Sequence, residues 1–102
     1  MKHYYAQQVK AIVQPGKRDE LIERLNGSLE VLQRAPGCVH YLISITDEPD
    51  VVWISELWGS KEAKDALAND PESAKVMQEL APFIVSMADR ATMTVVGGFG
   101  LE

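Results

Sequence analysis

Cysteine is nearly absent from this chain. Cys38 is the only one, which excludes an internal disulfide and any multi-cysteine metal site. Histidine is almost as scarce, with His3 and His40 alone. No carboxylate–histidine cluster has ligand spacing, so no metal is expected. No apolar run approaches the roughly 20 residues needed to span a bilayer. The opening M-K-H-Y-Y-A-Q-Q contains no hydrophobic signal region, so the expected setting is the cytoplasm, with no membrane partner. Positive charge is short as well: Lys and Arg number 10 against 15 Asp and Glu, a net charge of -5. With the two signs mixed along the chain, no basic face exists to neutralise phosphates, and nucleic acid is not an expected partner. A phosphate-cradling loop is missing too, because G-G-F-G near the end follows a strand and opens no helix.

What remains is ordinary globular composition, 46% apolar and 25% charged, which argues against disorder. The 102 residues form one domain, 1–102, since there is no room for a second core. Leu101-Glu102, native or an appended remnant, carry no weight in this reading. A chain this short hides a modest share of its surface, and dimerisation is a common remedy.

Tyr4 to Val13 has the aromatic and β-branched density of a strand, stopped by Pro15-Gly16. From Lys17 the period changes: Leu21, Ile22, Leu25, Leu29 and Leu32 fall at helical spacing opposite a charged face. Gly27 weakens this one helix slightly, and Ala35-Pro36-Gly37 ends it. Cys38 to Thr46 and Val51 to Trp58 are two strands joined by Asp47-Glu48-Pro49-Asp50 as an antiparallel hairpin. Ser60 caps a short helix through Ala68. Asp70 and Pro71 then supply the cap and first residue of another. Ala74, Met77, Leu80, Ala81 and Ile84 are its apolar face, and Pro82 kinks or splits it. Ala91 to Val96 is the last strand. The order is β-α-β-β-α-β, an α+β ferredoxin-like arrangement with a four-stranded antiparallel sheet and its helices on one face.

One feature exceeds that plan. Strict alternation puts Val39, Tyr41, Ile43 and Ile45 on one face of the second strand, yet Cys38, His40 and Leu42 share the other. In the third strand Val52, Ile54 and Trp58 oppose Val51, Trp53 and Leu57. Both faces are apolar, and the helices cover only one. A second copy packed against the open sheet face is therefore expected.

Several segments together resemble the antibiotic biosynthesis monooxygenase family, the dimeric α+β barrels. They are Q-P-G-K (Gln14 to Lys17), P-G-C-V-H-Y (Pro36 to Tyr41), E-L-W-G-S-K-E-A (Glu56 to Ala63), the broken helix and the closing V-V-G-G from Val95. The resemblance spans essentially the whole domain. It implies a cofactor-independent monooxygenase, without metal or flavin, acting with O2 on a small aromatic phenol or quinol in a pocket between sheet and helices. Two positions where many members carry histidine are Leu67 and Glu72 here. The histidine of haem-degrading relatives falls near Met77, so haem degradation is not expected. Two alternatives stay open: a proton-transfer or isomerase enzyme on the same fold, and a non-catalytic or stress-response dimer that binds a small ligand.

The candidate residues follow. Trp58 is either a flat wall for an aromatic ligand with an indole donor, or packing for the strand end. Glu56, on the same face by alternation, is a candidate base or a buried anchor for a cross-sheet arginine. His40 is a candidate proton acceptor if its face lines the pocket, and an interface residue if it does not. Tyr5, Tyr41 and Trp53 suit an aromatic substrate or simply the core and interface. Met77, Met87 and Met93 suit an adaptable pocket equally well as core filler. Arg90, placed before the last strand, is either a partner for a phenolate or superoxide, or an exposed charge. Cys38 has nothing nearby to activate it.

Overall fold

The structure, a computed structural model, describes residues 4–100; His3 and the Leu101-Glu102 pair lie outside the described residues. The elements run β1 (Tyr4–Val13), α1 (Arg18–Gly27), α2 (Leu29–Gln33), β2 (Cys38–Ser44), β3 (Val51–Trp58), α3 (Lys61–Ala68), α4 (Pro71–Leu80), a 3-10 turn (Ala81–Phe83) and β4 (Ile84–Val95). The sheet is antiparallel throughout in the order β2-β3-β1-β4. This is the ferredoxin-like α+β fold expected from the pattern. Among the described residues, no helix is long and apolar enough to cross a membrane.

Local chemistry set the helix starts correctly. The Ser60 hydroxyl accepts from the Ala63 amide at 3.1 Å, and the Asp70 carboxylate accepts from the Ser73 amide at 3.0 Å. Each satisfies a backbone donor that the first turn of a helix leaves open.

Two boundaries differ from expectation. The single helix expected from Lys17 is two, parted at Ser28. There the Ser28 amide bonds the carbonyls of Arg24 and Leu25, and its hydroxyl donates to the Leu25 carbonyl at 2.9 Å. Gly27 and Ser28 are both weak in a helix interior, and the serine offers the backbone an alternative partner. The last strand, expected from Ala91, begins at Ile84. Pro82 ends α4, and the Gln14 amide donates to the Phe83 carbonyl at 2.8 Å. Pairing with β1 then takes over what looked like the end of the helical pattern. Arg90 thus lies inside β4.

Bulges decide which side chains face the helices, and two of them bear on the site. In β2 the register passes from Cys38↔Trp58 to His40↔Leu57, leaving Val39 as the extra residue. Cys38 therefore shares the helix face with Tyr41, which corrects the alternation that grouped Cys38 with His40 and Leu42. In β4 the register jumps from Gln8↔Ala91 to Lys10↔Ala88. Asp89, with φ 49 in the left-handed region, marks the place. A bulge inserts one residue and re-phases everything beyond it.

The core lies between sheet and helices, built on Val9, Ala11, Val13, Val52 and Ile54 against Leu21, Leu25 and Leu80. Gly37 joins two of the motifs named above. Its φ is +87, and a Cβ there would stand 2.8 Å from the Ala63 Cβ, a separation only glycine allows. Its carbonyl accepts from the Gly59 amide at 2.7 Å. The start of β2 is thereby clamped to the β3–α3 seam.

Candidate functional site

Apolar and polar rows alternate along the helix-facing side of the sheet. Ile43, Ile54 and Val9 lie abreast on β2, β3 and β1, and belong to the core or pack against it. The next row toward the β3–α3 seam is Tyr41, Glu56, Gln7 and Thr92, one from each strand. Beyond it come Cys38, Trp58, Tyr5 and Thr94. The middle row is the polar step in an apolar wall, and a cavity opens over it.

This cavity, about 260 Å³, is a partly open cleft between sheet and helices. Gln7, Tyr41, Ile54, Glu56, Met87 and Arg90 contribute from the sheet. Leu25 of α1, Val31 of α2, Lys64 and Leu67 of α3, and Val76 and Met77 of α4 contribute from the helices. Such a mostly apolar cleft with a few convergent polar groups is the usual form of a small-molecule site.

Glu56 is the fixed point. Its Oε1 accepts from the Trp58 indole N-H at 3.0 Å, and its Oε2 accepts from the Gln7 amide at 3.2 Å. Gln7 is 6% exposed and Trp58 is 0% exposed. Both partners are neutral, so the carboxylate is oriented without being neutralised. Two such bonds leave about half of its lone-pair sites free, since a carboxylate offers about four.

Tyr41 stands beside Glu56 across the β2–β3 ladder. No protein group hydrogen-bonds its hydroxyl among the described residues, and no buried side-chain polar atom is left unsatisfied. The hydroxyl therefore reaches the open space of the cavity. Burial, and then the charges of Glu56 and Cys38, push its pKa well above the usual tyrosine value. The Cys38 thiol is also raised, by burial and then by Glu56, so it stays protonated and unreactive.

A pH prediction follows for Tyr41. A phenol held protonated in the folded state favours folding fully below the unfolded value of about 10, and that contribution is lost progressively as pH rises above it. Absorbance titration at 295 nm should show a late-ionising tyrosine that disappears in Tyr41→Phe. Urea midpoints should fall above about pH 10 in the wild type, and less steeply in the variant. Tyrosines that all ionise together near the ordinary value would contradict this.

The sequence candidates separate clearly. Glu56, Tyr41, Met77 and Met87 border the cavity, as does Arg90. Trp58 does not; it lies behind Glu56 as the largest fully buried side chain. Tyr5 shares that row, opposite Trp58, and is likewise absent from the lining. His40 is exposed on the other face of the sheet, paired with Leu57. The structure does not bring it to the cavity. Trp53 pairs with Ser44 on that same open face, and Met93 lies there too, 44% exposed. Leu67 borders the cavity, whereas Glu72 forms a surface ion pair with Arg34.

Gln7 and Lys64 are among the lining residues that escaped the sequence reading. Gln7 is the lone polar member of the alternating set Tyr5, Gln7, Val9, Ala11, Val13, a break in an apolar face that marks a polar site. Lys64 precedes Leu67 by one helical turn, which places both on one face of α3.

Comparison with known proteins agrees with this architecture. The sequence profile described as antibiotic biosynthesis monooxygenase matches residues 4–79. Among solved structures, a Chloroflexus aurantiacus J-10-fl protein provisionally named an antibiotic biosynthesis monooxygenase is 30% identical, with 97% of this chain and 99% of that one covered and a TM-score of 0.84. A Nitrosomonas europaea protein with the same provisional name is 19% identical, covers 97% and 94%, and has a TM-score of 0.78. A conserved Methanosarcina mazei Go1 protein shares the fold at 15% identity, 90% and 92% coverage and a TM-score of 0.79. Among curated proteins, none matches.

Proposed function

This chain belongs to the antibiotic biosynthesis monooxygenase family, and from that premise we propose that its cavity oxygenates a small aromatic phenol or quinol without metal or flavin. The observation that carries the reading is the Glu56 carboxylate, aimed at an apolar cavity by two neutral donors. A base so held can take a phenolic proton from a ligand seated in a mostly apolar cleft.

The resulting phenolate is electron-rich enough to pass one electron to O2. Recombination of the radical pair forms a carbon–oxygen bond, and the hydroperoxide then loses water. A phenol with an open ring carbon plus O2 gives a quinone plus water, so the substrate supplies all the electrons and no outside reductant is required. The Tyr41 hydroxyl, still protonated, is a donor for the developing oxygen anion.

Oxygen-electrode assays on a panel of phenols and quinols test this. Uptake by chelator-treated, flavin-free protein supports it, and absence of uptake across the panel counts against it. One observation favours a second reading: Leu67 places a hydrocarbon where many relatives carry histidine. A dimer that binds aromatic ligands without turnover would then be the outcome, as would proton exchange without oxygen for an isomerase.

The chain is proposed to work as a homodimer through its open sheet face. Leu42 and Met93 are 58% and 44% exposed there, and Trp53, Leu57 and Ile12 are half-buried. His40 would then lie at the seam between copies. Sedimentation at micromolar concentration should give a dimer, with Leu42→Glu shifting it toward monomer because a desolvated carboxylate is costly. A wild-type monomer would sink the proposal.

A further inference from the structure

Most described cations in this chain have partners. Lys10 pairs with Glu48, Lys17 and Arg24 with Glu20, Arg34 with Glu72, and Lys61 with Asp65, while Arg18 donates to the Glu48 carbonyl. Lys64, Lys75 and Arg90 have none among the described residues. Lys64 and Arg90 both border the main cavity.

That coincidence has a physical direction. The chain as a whole is acidic, at -5, yet the ionised side chains lining this cavity are Lys64, Arg90 and Glu56. Glu56 neutralises neither cation, since its bonds go to Trp58 and Gln7. Lys64 is half-buried and Arg90 exposed, and a cation beside an apolar space is better matched by an anionic ligand than by a neutral one. The backbone also sets the face of β4 on which Arg90 lies. The bulge at Asp89 leaves Arg90 and Met87 both lining the cavity, although strict alternation would set them on opposite faces. Bulges of this kind commonly re-aim a side chain beside a binding site.

We propose that the ligand of this cavity is a hydroxyaryl acid: its hydroxyl meets Glu56, and an acidic substituent at the far end meets Arg90 and Lys64. The proposal rests on the phenol reading above and narrows it to anionic members of that class. Glu56 is on β3 and Arg90 on β4, with β1 between them. Two strand spacings amount to about 10 Å, which calls for the two groups at opposite ends of a fused bicyclic ring. Arginine suits a planar carboxylate through its fork of donors, and Lys64 adds charge from the helical wall.

The test compares 6-hydroxy-2-naphthoate with 2-naphthol, which differ only in the acid group. Titration calorimetry under nitrogen reads binding of each to the intact protein, with no turnover involved. The naphthoate should bind about tenfold more tightly, the scale of one partly exposed charge-assisted contact. Arg90→Met and Lys64→Met should each reduce that preference, weakening naphthoate binding more than they change 2-naphthol binding, and leave the urea midpoint near wild type. Added salt should erode the preference in the wild type. Equal affinity for the two compounds overturns the inference. So does a preference that survives both substitutions, or failure of both compounds to bind. A preference for the acid with no oxygen uptake on any phenol removes the oxygenase reading alone. Uptake without the preference removes this inference alone.

Discussion

Glu56→Gln is expected to lower oxygen-consuming turnover by a factor of about 10² to 10⁴, the usual contribution of a general base, while leaving the fold intact. The substitution keeps size and shape. The new amide oxygen can still accept from the Trp58 indole, which now bonds Oε1 at 3.0 Å. The new NH2 group would meet the Gln7 amide nitrogen, now 3.2 Å from Oε2. Gln7 can answer by turning its own amide to present oxygen, because an amide carries both a donor and an acceptor end. Hydrogen bonding therefore survives and proton acceptance does not. Oxygen-electrode rates beside urea midpoints separate the two effects. Turnover within a few-fold of wild type, in a folded variant, would remove Glu56 as the base.

Trp58→Ala is expected to cost about 3–5 kcal/mol, the range for deleting a large buried aromatic, which is a substantial part of the roughly 5–15 kcal/mol that holds a domain together. Trp58 is 0% exposed, paired across the sheet with Tyr5 on one side and Cys38 on the other. Its removal empties that space and takes one of the two donors from Glu56. Trp58→Phe separates these roles, since it keeps an aromatic ring in the site and removes the indole N-H. The phenylalanine variant should fold with modest loss and show slower turnover, because Glu56 is then oriented by Gln7 alone. Chemical denaturation of both variants gives the comparison. An alanine variant of wild-type stability that had lost ligand binding would instead make Trp58 a cavity wall.

The sequence carried most of the fold because its strongest cues are local. Ser60 and Asp70 announce their helices by chemistry that acts within one turn. The Pro15-Gly16 and Asp47-to-Asp50 breaks likewise act where they stand. What escaped was decided by distant partners. Ile84 to Arg90 continues a helical pattern by composition, yet β1 offers it an edge to pair with, and pairing wins. Val39 carries no mark of a bulge. Its effect, moving Cys38 to the face of Tyr41, exists only against the register of β3.

The same division runs through the site. Glu56 was recognisable from the strand-to-helix seam, but the arginine considered as its partner proved to be a glutamine and a tryptophan. Neutral donors orient a carboxylate and leave lone pairs available, whereas an arginine would have tied it up in an ion pair. His40 drew attention through its chemistry alone, and strand alternation carried it to the opposite face. Lys64 drew none, since a lysine on a charged helix is ordinary until the cavity beneath it is seen.

The central claim is oxygen transfer by protein and substrate alone. Its most direct test supplies ¹⁸O2 to chelator-treated, flavin-free protein with a phenol that supports uptake. The account predicts one labelled oxygen in the quinone, the other in water, and loss of both in Glu56→Gln. A quinone without label, with the oxygen recovered as hydrogen peroxide, would contradict it.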